Sequence, residues 1–364
     1  MTLNYCKINY TIFINSSMAY TTIDDPEKYF KPVKYVGNLL QHPVEGFNHQ
    51  PDWLWFKNAD TTNSHNLLDS TRGTTKRLRS DDNSAEATVS TRLDSFDADG
   101  FTVETDPAVN GNNNEIVVFS WAANGGTTSS NSDGTITSTV QANTTAGFSI
   151  ITYTGTGSTA TIGHGLNSAP EMIITKGRSD AHSWLVGVTA DSSDLSKVLV
   201  LQTTAASVTA TSNYNAAPNS STYQVVNAGG TNNNADTYVA YVFHSVQGYS
   251  KIGSYTGNGN ADGTFVYTGF KPAWVMTKRT DSSDHWRIVD ATREPFNDGS
   301  MQGLKANTNE AEADAGSRGL DFLSNGFKIR TTDPDSNASG GDYIYMAFAE
   351  HPFVSSEGVP TTAR

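Results

Sequence analysis

The sequence is poor in the residues that would brace a fold covalently or draw it to polyanions. It has one cysteine, Cys6, so no intramolecular disulfide is available and stability must come from apolar burial and strand pairing. Lys and Arg total 24 against 37 Asp and Glu, a net charge of −13. No basic cluster interleaved with aromatics offsets that sign, which argues against nucleic acid as a partner. No apolar run approaches the roughly 18–20 residues of a spanning helix, so no membrane partner is expected. Charged residues are only 17% of the chain. Gly, Ser, Thr and Asn are abundant instead, a mix that disfavours long exposed helices and favours strands joined by tight turns. Only residues 24–30, where Pro26 follows Asp25, offer a helical start.

What is present is an internal repeat. GFNHQPDWLWFKN (46–58), GLNSAPEMIITKG (165–177) and GFKPAWVMTKR (269–279) pair Pro51 with Lys57, Pro170 with Lys176 and Pro272 with Lys278, at pitches of 119 and 102 residues. Copies one and three share more. Lys57, His65, Asp69 and Arg72 match Lys278, Trp286, Asp290 and Arg293 without a gap. Ala85-Glu86-Ala87, Arg92, Phe96 and Gly100-Phe101 likewise match Ala311-Glu312-Ala313, Arg318, Phe322 and Gly326-Phe327. The middle copy diverges, with Ala205-Ala206 where a Glu is expected, and rejoins the pattern at TYVAYVFHSV (237–246), the counterpart of EIVVFSWAA (115–123) and YIYMAFAEH (343–351).

The repeat predicts a domain layout. Residues 1–17 form a leader and 18–34 an N-terminal segment; β-sandwich repeats occupy 35–123, 147–247 and 248–353. A Gly/Ser/Thr-rich linker holding one short strand fills 124–146, and 354–364 form a C-terminal tail. Met18 opens MAYTTIDDPEKYF, and translation is expected to begin there. Asp99-Gly100 and Asn325-Gly326 predict hairpins that pair Phe96 and Phe322 back across the turn. Both faces of 343–348 are apolar, which places that strand at a sheet centre.

The chemistry-bearing residues read mostly as scaffold. Glu86 with Asp69, or Glu312 with Asp290, could supply the two carboxylates of a glycosidase. Each Asp lies three residues before an arginine in both copies, which favours a structural ion pair. No catalytic residue is assigned. His65, His164, His182 and His285 do not recur as a ligand pair, so no metal is assigned. Asp333-Pro334-Asp335-Ser336-Asn337 resembles the start of a calcium loop, but Ala338 replaces the required Gly. Asp97 to Gly100 reads as turn chemistry. The TGTG and TGNG segments open no helix and read as turns, not phosphate cradles. Trp53, Trp55 and Trp274, with Met172 and Ile174 in their place in copy two, read as core, with the neighbouring lysines snorkelling to solvent. Trp184 and Trp286 read equally as core or as anchors of the variable loops. No cofactor is expected, and the binding residues are left to the loops that differ between copies.

GYSKIGSYTGNGNADGTFVYTGFKPAWVMTKRTDS, SFDADGFTV, FLSNGFKIRTT and IYMAFAEHPFVSSEGVPTTAR resemble a repeat family found in structural proteins of marine tailed bacteriophages. The resemblance runs from Met18 to Arg364. It implies an all-β fold of three repeated antiparallel β-sandwich units of about 100 residues, jelly-roll and concanavalin-A-like. It also implies a virion structural protein on the tail or capsid surface, made in the host cytoplasm. The expected function is multivalent contact with host-surface carbohydrate by a homo-oligomer bound to other virion proteins. Capsid decoration or tail assembly is the second reading, and a polysaccharide-degrading glycoside hydrolase the third.

Overall fold

The computed structural model describes residues 20–297, 302–314 and 319–360. The leader 1–17, the expected start at Met18, Cys6 and Arg318 lie outside them. The first copy runs through β1 (Phe30–Val36), β2 (His42–Glu45), β3 (Trp53–Asn58), β4 (Asn66–Asp69), β5 (Lys76–Arg77), β6 (Ala87–Thr88), β7 (Leu93–Asp97), β8 (Gly100–Val103) and β9 (Glu115–Trp121). The middle copy comprises β10 (Ser129–Asn131), β11 (Ser138–Asn143), β12 (Phe148–Thr154), β13 (Ala160–Gly163), β14 (Met172–Gly177), β15 (Leu185–Val188), β16 (Lys197–Val200), β17 (Val208–Thr209), β18 (Thr222–Val225) and β19 (Thr237–Phe243). The third adds β20 (Ser250–Thr256), β21 (Phe265–Tyr267), β22 (Phe270–Arg279), β23 (Arg287–Asp290), β24 (Gln302–Lys305), β25 (Ala313–Asp314), β26 (Leu320–Leu323), β27 (Gly326–Ile329) and β28 (Asp342–Pro352).

The named strands pair antiparallel throughout, and one order recurs. The large sheets read β1-β9-β3-β4, β12-β19-β14-β15 within a longer middle sheet, and β20-β28-β22-β23. The smaller sheets β2-β8-β7, β13-β18 and β21-β27-β26 lie against them. In each case the closing strand (β9, β19, β28) sits between two neighbours, which is why both of its faces are apolar. One face of β9 puts Ile116 and Val118 in a core with Val44 and Phe101 of the small sheet. The alternation of a strand turns Val117, Phe119 and Trp121 the other way.

That second face changes the architecture. Val117, Phe119 and Trp121 share one core with Val239, Tyr241 and Phe243 of β19 and with Ile344, Met346 and Phe348 of β28. The three large sheets therefore face one another. Trp121, Phe243 and Phe348, at matching positions of the closing strands, touch pairwise with ring centroids 6.5, 5.8 and 6.1 Å apart. They mark an approximate threefold axis through the centre of the chain. Trp53 stacks on Tyr241 at 4.1 Å, and Trp121 meets Trp274 edge-on at 5.8 Å. Trp53, Trp55 and Trp274 are thus core, as are Met172 and Ile174.

Several expectations are met in detail. Phe96 pairs with Phe101 and Phe322 with Phe327 across the predicted hairpins. Residues 26–28 form a single 3-10 turn after Asp25. The stretch 124–146 departs from the linker reading. It holds two strands, β10 and β11, and β11 pairs with β12 along Thr139 to Asn143. Ile136 and Val140 bury there against Ile151 and Ile162, so the sparse apolar residues of a Gly/Ser/Thr-rich stretch suffice to extend the sheet.

Candidate ligand-binding clefts at the sheet junctions

Neighbouring large sheets are joined by matching bonds. The Glu86 amide donates to the Arg178 carbonyl at 2.9 Å, Ser207 to Thr280 at 2.8 Å and Glu312 to Ala59 at 2.7 Å. The three acceptors each lie two residues beyond the repeated lysine, so copy one binds copy two, two binds three, and three returns to one. Residues eight beyond that lysine act in parallel. Trp184 Nε1 donates to the Arg79 carbonyl at 2.6 Å and Trp286 Nε1 to that of Val200 at 3.2 Å. His65 Nε2 lies 3.1 Å from the Lys305 carbonyl, while its Nδ1 accepts from Trp55 Nε1 at 2.9 Å, which fixes the proton on Nε2. Burial pushes the His65 pKa down to about 3, so it stays neutral. Trp184 and Trp286 are therefore buried junction residues.

The repeated lysines correct the snorkelling expectation. Lys57, Lys176 and Lys278 are each 0% exposed. Their Nζ atoms bond the carbonyls of Asn58 and Thr61, of Gly177 and Asn83, and of Arg279 and Thr204. Two of those acceptors, Asn83 and Thr204, belong to the preceding copy. Burial pushes all three lysines down to about 8.

Ionic chemistry makes the junctions unequal. Between copies one and two, Arg72 Nε bonds Asp69 at 2.5 Å and its Nη1 bonds Glu86 at 2.9 Å. Its Nη2 reaches Tyr241 of copy two at 3.1 Å, and Tyr241 donates to Asp69 at 2.7 Å. Arg178 then grips both oxygens of Glu86, at 2.8 and 2.9 Å. Burial raises the Glu86 pKa, but the two guanidiniums outweigh it and hold the carboxyl below its ordinary value. Glu86 is thus ionised and saturated, which suits a structural tie and not a general acid. Arg293 repeats the arrangement with Asp290 at 2.5 Å and with Glu312.

In copy two the corresponding pair is Asp191 and Ser207, joined by a hydroxyl-to-carboxylate bond. Ser207, and not Ala205 or Ala206, thus holds the place of the missing Glu.

Two junctions open into polar clefts. One, of about 480 Å³ between copies three and one, is lined by Lys34, Asp60, Glu115, Arg293 and Glu312. The other, of about 510 Å³ between copies two and three, is lined by Asp191, Lys197, Ser207, Asp281, Asp342 and Tyr255 among others. Lys34 and Ser254, and Glu115 and Asp342, occupy matching strand positions in the two clefts, while Asp60 and Asp281 each stand three residues after the repeated lysine, in the turn that follows β3 or β22. At the remaining junction, Arg178 stands where Ala59 and Thr280 line the clefts, and its side chain spans to Glu86.

The other candidates fall elsewhere. His164 lies buried in its turn, 3.1 Å from the Asn219 carbonyl and accepting from the Leu166 amide. His285 pairs with Asn307. His182 Nε2 sits 2.9 Å from Asp236, and with Asp180 the three offer ligand atoms within 4.8 Å of one another. Asp236 also accepts from Asn233 at 2.8 Å, so the group already works as a hydrogen-bonded clasp on the 228–236 loop.

Asp333 caps the short helix α1 (Pro334–Asn337) by accepting from the Asp335 amide at 2.9 Å, a local role that accounts for the calcium-loop likeness. Asn337 Nδ2 donates to the Asn260 and Thr331 carbonyls, with Asn258 Oδ1 3.0 Å away. Its counterpart Asn110 donates to Leu40 and Glu104 at 2.7 Å each. The spacing Asp-Pro-x-x-Asn at 106–110 and 333–337 marks this device in the sequence. Beside it, a Cβ on Gly37, Gly155 or Gly257 would come within 2.1–2.4 Å of a backbone oxygen of the same loop. The first glycine of the TGTG and TGNG segments, Gly155 or Gly257, therefore serves close backbone approach, while the second, Gly157 or Gly259, holds a positive φ of 69° or 68°.

No curated protein matches the chain. Residues 25–352 match a family described as a domain of unknown function, DUF7483. That span covers all three large sheets and both clefts, and the chain belongs to this family.

Proposed function

We propose that the chain is a structural protein of a tailed-bacteriophage virion, made of three concanavalin-A-like, jelly-roll sandwich units, that makes multivalent contact with host-surface glycans. The observation that carries this reading is the pair of matching clefts. Both are open and polar, and they combine carboxylates and lysines with serine, threonine or tyrosine hydroxyls in one or the other. Such groups bond sugar hydroxyls from both the donor and acceptor side. Two weak sites on one rigid body, multiplied in a homo-oligomer, gain avidity through effective concentration. The resemblance of the repeat strings to phage virion proteins supplies the context, and the saturated carboxylates Glu86 and Asp69 favour binding over hydrolysis. A glycan array probed with the purified, cross-linked oligomer tests the reading: specific binding supports it, and a blank array overturns it.

A second reading, assembly against other virion proteins, is favoured by one cleft of about 370 Å³ with an apolar floor of Phe30, Val33, Ala273, Ala291 and Ala349. Labelled virions seen by electron microscopy distinguish tail display from capsid decoration.

A further inference from the structure

The small sheets differ in what they show on their outer faces. Strand β21 alternates, with Val266 buried against Phe322 and Phe327 while Phe265 and Tyr267 are 44% and 54% exposed. Residues two apart on a strand stand about 7 Å from each other on one face, so Phe265 and Tyr267 rise from the same face, and the Phe265 ring leans over Gly326, with Cε2 3.2 Å from where a Cβ there would stand. Across the sheet, Phe265 pairs with Lys328, and Lys328 with Asp321. Tyr267 pairs with Gly326, which has no side chain to cover it. The Tyr267 hydroxyl lies 3.1 Å from that of Tyr20, which itself donates to the Gly269 carbonyl at 2.8 Å. The outer end of the Tyr267 ring is therefore held in place.

The surrounding polar groups are tied to one another. Lys328 bonds Asp262 at 2.7 Å, and Arg330 bridges Asp262 at 3.1 Å and Asp321 at 2.5 Å. Two cations and two carboxylates cancel, leaving a neutral rim of fixed donors and acceptors around two bare rings.

The other copies show that the fold does not require this. The positions matching Phe265 and Tyr267 are Pro43 and Glu45 in copy one, by their pairing with Thr102 and Gly100. In copy two they are Thr161 and Gly163, paired with Gln224 and Thr222. There the face is also approached by the added segment, with Ile136 bridging to Ile162 and Thr135 bonded to Thr161. Of these matching positions only those of copy three carry exposed aromatics, so the packing of the fold does not account for them.

We propose that Phe265 and Tyr267 form a stacking platform for a neutral polysaccharide. The C–H face of a sugar ring would lie on each aromatic ring, and the Lys328, Asp262, Arg330 and Asp321 network would meet the equatorial hydroxyls. A neutral polymer fits the cancelled local charge, and the net charge of −13 disfavours an acidic one. This rests on the glycan-contact reading and adds to the clefts a separate site confined to one copy.

Affinity electrophoresis of the full chain through gels containing dextran, hydroxyethylcellulose or galactomannan tests it. Retardation of the native protein by at least one polymer is expected, with F265A/Y267A weakened about tenfold. F265W, which keeps two rings and the Tyr267–Tyr20 bond, should bind as the native protein does, and P43A/E45A in copy one should be unaffected. Native retardation that survives F265A/Y267A overturns the platform and spares the glycan reading. So does loss in F265W as complete as in the alanine variant, since stacking needs only the rings. A native protein retarded by none of the three polymers overturns the platform, and a blank glycan array in addition overturns the glycan reading itself.

Discussion

The amide of Glu312 donates to the carbonyl of Ala59 at 2.7 Å, joining residues 253 positions apart. It is the third of three matching bonds and the one that returns the last copy to the first. The large sheets therefore share a central core and should not fold independently. An isolated fragment spanning residues 147–247 would expose Met172, Ile174, Val239, Tyr241 and Phe243, all buried in the whole chain. That fragment is expected to give a poorly dispersed NMR spectrum, whereas the full chain unfolds in one cooperative transition by fluorescence and circular dichroism alike. A well-dispersed fragment spectrum would refute the shared-core account.

Arg72 and Arg178 both bind Glu86, but their surroundings differ. Arg72 is fully buried between Asp69, Glu86 and Tyr241, so Arg72→Met strands buried carboxylates and should cost about 3–5 kcal/mol in urea unfolding. The Arg178 side chain is partly exposed, and Arg178→Ala should cost only about 1 kcal/mol. The same substitution should empty the space that the Arg178 side chain spans on its way to Glu86. A crystal structure of R178A is expected to show a third polar cleft.

The buried lysines set a pH dependence. Lys57, Lys176 and Lys278 have native pKa values pushed down to about 8 from the ordinary 10.5. Between those values the unfolded chain binds more protons than the native one, so stability rises with pH across the window. A gain of about 1 kcal/mol per lysine is expected from pH 8 to 9.5. Urea unfolding at each pH measures it, and Lys278→Met should remove about a third of the gain. The buried tyrosines act in the opposite sense above about pH 9, since burial raises their native pKa values and the unfolded chain loses those protons first. The lysine contribution is therefore read from the difference between the native and Lys278→Met profiles, and parallel profiles would mean that this amine is charged in the native state.

The two N–H groups of the buried Asn337 amide donate to the Asn260 and Thr331 carbonyls at 2.8 and 2.7 Å, with Asn258 Oδ1 also 3.0 Å from the nitrogen. Asn337→Ala should lower stability by about 2–3 kcal/mol, and Asn337→Asp by at least as much, because a carboxylate cannot donate to the Asn260 and Thr331 carbonyls. Thermal unfolding of both variants provides the comparison, with a stable Asp variant as the contrary result.

The repeat, the hairpins and the central closing strands were legible because each rests on side-chain pattern: Pro-to-Lys spacing, Asp-Gly or Asn-Gly turns, and apolar residues on both strand faces. The closure of the three sheets on one another was not. Its acceptors are the backbone carbonyls of Ala59, Arg178 and Thr280, which no side-chain signature marks. The lysines misled for a related reason, since a long amphipathic chain ordinarily reaches water and here meets carbonyls of a neighbouring copy. The clefts were equally hidden: Asp191 keeps the offset of Arg72 and Arg293 from the repeated lysine, but Ser207 falls out of register with both Glu86 and Glu312, and only its bond to the Thr280 carbonyl shows that it takes their place. The Asp69–Arg72 and Asp290–Arg293 pairs were legible as structural because the same three-residue spacing recurs in both copies.

Trp121, Phe243 and Phe348 meet at the axis from three separately encoded positions of one chain. In a trimer of identical subunits, any change at a subunit's rim is stamped on all three faces at once. Tying the three copies together removes that constraint: one face can acquire aromatic rings, another an extra pair of strands and a third neither, while the common centre is left undisturbed. Variation can thus be tried one face at a time, with two unaltered neighbours holding the body together.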